Sequence, residues 1–349
     1  MSEPGMSDEP DVSLPLWRDP GWRADADAWV ADRLAAAGRR PTGPADCDRL
    51  VPWSAVWRVP TEGGPVWFKA CTVGVRHEPA LYRVLVRRSP GHVLTPVALD
   101  LERGFLLLPD GGPTLRQTEG ARTDVAAWER MLQEYAAMQR GLEPFVDELV
   151  ATGLTVAGPG ELPGVRAALL ADEDLLLLGD ESGLTKAQRA ELLAEQESYS
   201  AACADLAAHG IPLSLQHDDL HDNNVFGPAE RGGPLRVFDW GDAVVGHPFG
   251  VLLISLRVVA DLLEVPETGP EVRRLRDAYL EPWAGEWSLA DLRDAARLAV
   301  RVGGVSRADC YRRATLGWPA DAPSRAPYAE GVPAWLLEQR GAMPLDEPV

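Results

Sequence analysis

The densest group of polar side chains in the sequence lies between His217 and Asn224. Every position of this segment except Leu220 carries an ionisable or amide side chain, and the apolar pair Val225-Phe226 follows directly. Polar groups beside a hydrophobic core cost free energy unless they bind something or one another. The segment therefore predicts a site for chemistry. A solvated turn with helix-capping carboxylates is the alternative.

A further carboxylate, Asp239, is expected beside this segment although it lies fifteen residues after Asn224. The residues in Val225-Phe226 and from Leu235 to Phe238 are typical of strands, and a turn rich in Gly and Pro separates them. A hairpin of these two strands would return Asp239 to the side of Asn224.

These side chains match the needs of phosphoryl transfer, whose transition state requires positioning and charge neutralisation more than covalent chemistry. Asp219 is suited to take the proton from an attacking hydroxyl. The amide oxygen of Asn224 and the carboxylate of Asp239 are suited to hold Mg²⁺ on the phosphates of ATP. The order His-x-Asp-x-x-x-x-Asn is that of a kinase catalytic loop. We therefore predict that Asp219, Asn224 and Asp239 are the catalytic residues.

Kinase chemistry also requires a lysine on a strand of the nucleotide-binding region, paired with a glutamate on a helix. The chain has 34 basic residues, yet only Lys69 and Lys186 are lysines. Lys69 interrupts the apolar run from Val66 to Ala70, and Glu78 begins a predicted helix further along. A desolvated lysine without a partner is costly, so we predict an ion pair between Lys69 and Glu78.

Two regions of different character must position these residues. In the first, we predict helices at Ala24–Ala37 and Glu78–Val86 and strands at Ala55–Val59, Val66–Ala70, Val93–Leu99 and Phe105–Leu108. In the second, we predict helices at Ala126–Arg140, Thr185–Ala208 and Ala290–Val302. The Pro/Gly segment at 109–113 separates the two regions.

This pattern predicts an α+β fold with a β-rich N-terminal lobe and a mainly helical C-terminal lobe. We expect a flexible acidic tail at residues 1–15, a nucleotide-binding lobe at 16–109 and a catalytic and substrate lobe at 110–349.

The motifs as a set resemble the aminoglycoside phosphotransferase family, a branch of the kinase-like superfamily that includes choline and homoserine kinases. The resemblance rests on Phe68-Lys69, Glu78, the run from His217 to Val225, and Asp239-Trp240. The family signature is similar to His-Gly-Asp-Leu-His-x-x-Asn followed by Asp-Trp or Asp-Phe. The resemblance covers about residues 45–260 and implies a bilobal protein-kinase-like fold. It also implies transfer of the γ-phosphoryl group of ATP, or alternatively GTP, to a hydroxyl of a small molecule with the help of Mg²⁺.

The resemblance further implies roles for residues outside the catalytic set. Lys69, held by Glu78, would contact the α- and β-phosphates, and His217 would brace the catalytic loop. The adenine would hydrogen-bond to the linker backbone near Leu108, Asp110 and Gly111, because the intervening proline has no N–H.

The sequence departs from the family pattern at three places. No G-x-G-x-x-G is present, and Pro52–Trp57 occupies the place of the phosphate loop. Asp218 replaces the usual small residue after the first histidine. His247, in Gly246-His247-Pro248, stands where the family often has Gly-Asp-Pro, and no role is assigned to it beyond a cap or a core position.

The predicted acceptor is a small hydroxylated compound, since no activation-loop pattern for docking peptides follows Asp239. Antibiotics of the aminoglycoside or nucleoside kind are the first candidates, and inactivation or self-protection would be the role. The carboxylates of Asp218, Asp222 and Asp242 could attract a cationic acceptor or could simply be solvated. We expect acceptor contacts from the C-terminal helices around Arg307 to Arg313.

The composition excludes several classes of function. A net charge of −19 argues against nucleic acid, which requires a basic surface. The four cysteines are too far apart for a zinc site or a disulfide framework and are expected to be reduced and mostly buried. No signal segment and no bilayer-length apolar run is evident. We expect a cytoplasmic monomer or homodimer that does not bind a membrane.

Three other functions stay open. A metabolite kinase of the choline or homoserine type would use the same machinery. A metal-dependent hydrolase would use His217, Asp219, His221 and Asp222 as ligands but leaves Lys69 without a role. A pseudokinase would keep only the fold or the affinity for nucleotide.

Overall fold

In the computed structural model, residues 15–230, 232–317 and 326–346 are described. The tail predicted at residues 1–15 therefore lies outside the described residues except for its last residue. The strands are β1 Asp46–Val51, β2 Ser54–Val59, β3 Val66–Cys71, β4 Ala98–Asp100, β5 Phe105–Pro109, β6 Thr155–Ala157, β7 Ser214–Gln216, β8 Val225–Phe226, β9 Arg236–Val237 and β10 Val244–Gly246. The helices are α1 Pro15–Arg18, α2 Pro20–Ala36, α3 Glu78–Arg88, α4 Val125–Leu142, α5 Val146–Val150, α6 Leu162–Ala171, α7 Lys186–Ala194, α8 Gln196–Ala208, α9 Leu252–Leu263, α10 Pro270–Leu280, α11 Leu289–Ala314, α12 Ala326–Ala329 and α13 Gly331–Glu338.

An antiparallel five-stranded sheet, in the order β1-β2-β3-β5-β4, forms the N-terminal lobe. Side chains alternate between the two faces of a strand, so Phe68 and Lys69 on β3 point in opposite directions. Phe68 stacks on Trp57 at 4.8 Å between ring centroids and contacts Trp29 of α2 at 5.9 Å. Helix α2 thus covers the apolar face of the sheet, and the face of Lys69 is left for the site.

Two predicted elements of this lobe differ from the structure. Helix α2 begins at Pro20 rather than at Ala24, because Asp19 caps it and accepts a hydrogen bond from the Trp22 amide at 2.7 Å. The strand predicted at Val93–Leu99 was wrong in most of its length: only Ala98–Asp100 pairs, since Pro96 cannot donate to a ladder.

Strand β1 was not predicted at all, because three of the six residues in its sequence DCDRLV are charged and polar and apolar residues do not alternate along it. A polar edge strand has no apolar alternation to detect. Its neighbours β2, β3 and β5 agree with the predicted strands to within one residue at each end.

The C-terminal lobe is mainly helical, and small β elements carry the site. A sheet in the order β6-β10-β7 and the hairpin β8–β9 lie beside the helices. The predicted helix at Thr185–Ala208 is two helices, α7 and α8, and a capping box of Thr185 and Gln188 begins the first of them. The helix predicted at Ala290–Val302 is the first half of α11, which continues through Gly303-Gly304 to Ala314.

The α+β, bilobal fold class predicted from the sequence is confirmed. Among the described residues, no helix combines the length and the apolar character that crossing a bilayer requires. Cys71, Cys203 and Cys310 are buried, as expected, and Cys47 is exposed.

Candidate active site

The segment from His217 to Asn224, which follows β7, forms a loop. Asp218 adopts a left-handed backbone conformation with φ of 64°, which is strained for a residue with a side chain. Its carboxylate is buried and accepts hydrogen bonds from Ser306 Oγ at 2.6 Å and Gln216 Nε2 at 2.8 Å. Asp218 therefore ties the loop to α11 and does not add an open carboxylate beside the base.

The turn of this loop brings Asp219 and Asn224 together. The Asn224 amide nitrogen donates to the Asp219 backbone oxygen at 2.9 Å and to its carboxylate oxygen Oδ2 at 3.1 Å. Because the nitrogen faces Asp219, the amide oxygen of Asn224 points away from it and is left for another ligand. This is the orientation that a metal-binding asparagine needs.

Two cationic side chains flank the Asp219 carboxylate. Arg307 Nη2 lies 3.6 Å from Oδ1, and His221 Nε2 lies 3.6 Å from Oδ2. Burial alone would raise the pKa of Asp219, but the interaction with His221 and the charge of Arg307 more than offset it and lower the pKa. Asp219 is therefore ionised at neutral pH.

His221 sits between two carboxylates, those of Asp219 and Asp222. Burial lowers the pKa of His221, yet its interactions with Asp219 and Asp222 raise the pKa to about 9. The Asn223 amide points at Nδ1 from 3.1 Å, an arrangement that suits the neutral ring. The Asn224 side-chain nitrogen also lies 3.4 Å from Nε2. The charges of the two carboxylates, at 3.6 and 3.7 Å, outweigh these two amide dipoles, so the raised pKa corresponds to an imidazolium at neutral pH.

The hairpin β8–β9 returns the chain to this loop as the sequence predicts. Phe226 pairs with Arg236, and the Phe238 amide donates to the Asn224 carbonyl at 3.1 Å. His217 braces the same junction, since its Nε2 donates to the Phe238 carbonyl at 2.9 Å. Burial lowers the pKa of His217, so the ring is neutral and its role is structural.

Lys69 joins the two lobes. Its Nζ lies 2.6 Å from Glu78 Oε2 and 2.6 Å from Asp239 Oδ1, so the predicted ion pair is present and includes a third member. Glu78 also accepts a hydrogen bond from the Trp240 amide through Oε1 at 3.0 Å. Burial would raise the pKa of Asp239, but the charges of Lys69 and Arg49 hold it well below its usual range.

The linker residues contact the hairpin of the C-terminal lobe. Leu108 pairs with Trp67 in the sheet, and the Asp110 amide donates to the Pro65 carbonyl at 3.3 Å. The Gly111 carbonyl accepts a hydrogen bond from Arg236 at 2.9 Å. The Asp110 amide is thus engaged inside the chain, which leaves Leu108 and Gly111 as the adenine contacts to be tested.

Several residues at the site were not assigned a role from the sequence. Arg49 on β1 lies 3.6 Å from Asp239 Oδ2 through its Nη2 atom. Arg116 holds Asp222, with Nη2 2.7 Å from Oδ1. No local pattern marks either arginine, because each is far along the chain from its carboxylate. His221 alone had a signal, its place in the polar segment.

The acceptor contacts expected around Arg307 to Arg313 are largely committed to the chain itself. Arg307 donates to the Asp218 carbonyl at 2.8 Å and to Asp242 Oδ2 at 2.9 Å. Arg313 is buried and donates to the Asp242 carbonyl at 2.9 Å. His247 caps the turn that precedes α9 by accepting from the Phe249 amide at 3.3 Å, as the cap reading of this residue predicts.

The hydrolase alternative finds no ligand set in the structure. Within residues 15–230, 232–317 and 326–346, no three His, Cys, Asp or Glu side chains come together as a metal site. His217 binds the Phe238 carbonyl, and Asp222 binds Arg116. These two side chains therefore do not point toward a shared metal position.

The family model of a phosphotransferase enzyme family, APH, matches residues 53–286, about two thirds of the chain. The chain belongs to this family. The match contains the catalytic loop, Lys69 and Asp239, and it confirms the resemblance drawn from the motifs. A small-molecule phosphotransferase is therefore encoded here. No curated protein sequence matches this family member at a significant level.

Solved structures similar to this phosphotransferase share its fold at low sequence identity. The GDP complex of an aminoglycoside 2'-phosphotransferase variant has a TM-score of 0.56 at 16% identity, covering 90% of this chain and 97% of that one. A choline/ethanolamine kinase family protein from Mesorhizobium loti has a TM-score of 0.57 at 15% identity, covering 92% and 95%. An amicoumacin kinase in complex with AMP-PNP, Ca²⁺ and its antibiotic has a TM-score of 0.54 at 14% identity, covering 92% and 95%.

Proposed function

We propose that this protein transfers the γ-phosphoryl group of ATP to a hydroxyl of a small molecule, with Mg²⁺ as its metal. The observation that carries the proposal is that Asp219, Asn224 and Asp239 lie around one loop junction. Asn224 contacts Asp219, the Phe238 amide beside Asp239 binds the Asn224 carbonyl, and Lys69 is bound to Asp239 at 2.6 Å. These are the groups that phosphoryl transfer needs for positioning and for charge neutralisation.

In the proposed reaction, Asp219 accepts a hydrogen bond from the acceptor hydroxyl and aims its oxygen at the γ-phosphorus. A new oxygen–phosphorus bond forms while the bond to the β-phosphate oxygen breaks, so ADP leaves. The hydroxyl proton passes to Asp219 and then to solvent. Because Arg307 and His221 lower the pKa of Asp219, the carboxylate acts chiefly by orienting the hydroxyl and takes the proton late.

The donor set fits a magnesium ion. Mg²⁺ takes oxygen ligands and is usually held by one or two protein groups together with substrate phosphates. Asp239 and the amide oxygen of Asn224 supply such groups, and the metal would neutralise the charge on the phosphates. The GDP and AMP-PNP complexes of the relatives support a nucleoside triphosphate donor, and the choice between ATP and GTP is part of the proposal to be tested.

For the acceptor, we propose an antibiotic with a free hydroxyl and an inactivation role in the cytoplasm. Two relatives whose names state an antibiotic support this class. The charges around Asp219 do not favour a polycation, because Asp218, Asp222 and Asp242 already have partners in the chain. A choline-like cation would meet the same obstacle, so nucleoside and uncharged antibiotics come first.

The test is acceptor-dependent ADP release from the purified protein with MgATP and a panel of nucleoside, aminoglycoside and other hydroxyl-bearing antibiotics and metabolites. The Asp219→Asn variant should lose about a hundredfold or more in kcat with nearly unchanged affinity for MgATP. Asp205→Asn, at an exposed position on α8, is the matched control and should equal the wild type. Replacing MgATP with MgGTP in the same assay decides the donor.

Failure of the wild type to bind any nucleoside triphosphate would contradict the proposal. Nucleotide binding without transfer to any acceptor would favour the pseudokinase. ADP release only with choline, ethanolamine or homoserine would keep the reaction and move the acceptor to the metabolite class.

A further inference from the structure

The turn between β1 and β2 is too short to form a phosphate-binding loop of backbone amides. Val51 pairs directly with Ser54, so only Pro52 and Trp53 lie outside the ladder. Proline has no N–H, which leaves a single amide in the turn. Kinases normally cover the nucleotide phosphates with a longer, glycine-rich loop in this place. The positive potential that such a loop supplies must come from elsewhere in this chain.

A β-bulge in β1 brings an arginine into the position where that charge is needed. Cys47 pairs with Trp57, but Arg49 rather than residue 48 pairs with Val56, so one extra residue is inserted between them. Val56 in turn pairs with Lys69 on β3. Paired residues of antiparallel strands point to the same face, so Arg49 and Lys69 share a row and a face of the sheet. Without the bulge, residue 48, an aspartate, would occupy this row.

The charges at the end of this row are arranged around Asp239. Lys69 takes one carboxylate oxygen at 2.6 Å, and Arg49 Nη2 approaches the other at 3.6 Å. The Arg49 side chain is 47% exposed, so a ligand can reach it from solvent. The longer contact is the weaker one, and Asp239 Oδ2 is the oxygen that remains for a metal once Lys69 holds Oδ1.

We propose that Arg49 binds the β- and γ-phosphates of the nucleotide and replaces the amides of the missing glycine-rich loop. This inference rests on the proposed function. Arg49 leaves Asp239 Oδ2 when MgATP arrives, because the guanidinium gains two or three charged phosphate oxygens in exchange for one distant carboxylate. Lys69 stays on Asp239 and Glu78 and contacts the phosphates from the other end of the row.

The experiment compares the affinities of the Arg49→Ala variant and the wild type for MgATP and for AMP, measured by calorimetry. AMP lacks the β- and γ-phosphates, so it reports on adenine and α-phosphate contacts alone. We expect the affinity for MgATP to fall about ten- to hundredfold and the affinity for AMP to stay within about twofold. Arg49→Lys should recover part of the loss, since it keeps the charge without the planar fork.

Arg33→Ala is the matched control, because Arg33 is 45% exposed on α2, on the opposite side of the sheet. Its affinities should equal those of the wild type. A melting curve for each variant shows whether it is folded, and steady-state kinetics should place the effect of Arg49→Ala on KM for MgATP more than on kcat.

Two results overturn the inference in distinguishable ways. In the first, the wild type binds MgATP and transfers its phosphoryl group, and Arg49→Ala has the same ratio of MgATP affinity to AMP affinity as the wild type. The proposed function then holds, but Arg49 is not a phosphate ligand. If the wild type binds no MgATP, both the proposed function and the role of Arg49 fall together.

Discussion

Asp219 is held by groups that lower the pKa of its carboxyl and fix its position, which suits the orienting role proposed for it. Asn224 donates to Oδ2 at 3.1 Å, Arg307 approaches Oδ1 at 3.6 Å, and both fix the plane of the carboxylate. A carboxylate with a lowered pKa contributes little to catalysis as a proton acceptor, and its main contribution is to orient the attacking hydroxyl. This agrees with a loose transition state, in which the hydroxyl is deprotonated only after the phosphoryl group has largely transferred.

His221 makes the stability of the site depend on pH in the alkaline range. Its pKa is about 9 in the folded protein and about 6.5 in an unfolded chain. A raised pKa stabilises the fold fully below about pH 6.5, and this contribution is lost as the pH rises through 9. We expect His221→Gln to unfold more easily than the wild type at pH 6, by roughly 1–3 kcal/mol after allowance for solvent screening.

That difference should shrink to nearly zero by about pH 10. Urea unfolding of the two proteins at pH 6, 8 and 10 measures it, and groups common to both cancel. A difference that stays constant across this range would show that His221 is not held as the imidazolium.

Lys69 allows a sharp comparison because the chain contains a second, exposed lysine. Lys69→Ala leaves Glu78 buried without its cation, so we expect a loss of about 3–5 kcal/mol in the free energy of unfolding. Phosphoryl transfer should fall about a hundredfold or more in kcat/KM. Lys186→Ala, at the exposed start of α7, should change stability by less than about 0.5 kcal/mol. Chemical denaturation and the ADP-release assay measure both effects, and near-equal stabilities of the two variants would contradict the buried ion pair.

The linker between the lobes is packed against the hairpin β8–β9, which joins Asn224 to Asp239. A Cβ on Gly111 would lie 2.4 Å from the ring of Phe226, and that ring is stacked on Phe238 at 4.0 Å. The ring therefore cannot yield without moving β8 and β9. We expect Gly111→Ala to destabilise the protein by about 1–3 kcal/mol and to weaken nucleotide binding.

Gly141→Ala is the control of opposite sign for this prediction. Gly141 lies in α4 with no atom within 4 Å of an added Cβ, so alanine should stabilise the helix by about 0.5–1 kcal/mol. Urea unfolding with calorimetric titration of MgATP separates the two variants. Unchanged stability in Gly111→Ala would show that the linker and the hairpin can move apart at no cost.

The elements that the sequence predicts well are those with an uninterrupted pattern. Helix α4 and strands β2, β3 and β5 follow from periodicity within one or two residues at each end. The predicted helix at Ala290–Val302 ended too early, at the glycine pair Gly303-Gly304. In the structure α11 continues, because packing on neighbouring elements, such as Gly304 against Gln339, overrides the low helix propensity of glycine. Strand β1 could not be predicted, since an edge strand with a polar sequence is defined by its partner β2.

In the molecule as a whole, the contacts that were predicted are those between residues close in sequence, and the contacts that were missed join residues far apart in sequence. Asp219 and Asn224 are five residues apart, and Asp239 is joined to them by a hairpin, so local pattern brings them together. Arg49, which was not predicted, meets Asp239 across 190 residues of sequence. Arg307 was expected near the acceptor, but its contact with Asp219, 88 residues away, was not predicted. Only the docking of the two lobes, and of α11 on the catalytic loop, creates these contacts.

The two lobes share one hydrophobic core, and polar contacts at Asp239 and Trp240 join them at the site, where nucleotide should strengthen them. Lys69 and Glu78 bind this segment, and His77 Nε2 donates to the Trp240 carbonyl at 3.1 Å. A ligand bound only to the folded state stabilises it by about 2.7 kcal/mol at a hundred times its Kd. For a chain of this size that amounts to a rise in Tm of roughly 3–5 °C.

We expect MgATP to raise the Tm of the wild type by this amount and to raise that of Asp239→Asn by much less. Asparagine keeps the size of the side chain but loses the charge that binds both the metal and Lys69. Scanning calorimetry with and without MgATP measures the rise for each protein, and AMP serves as the ligand that needs no metal. An equal rise in both proteins would mean that Asp239 joins the lobes without holding the metal–nucleotide complex.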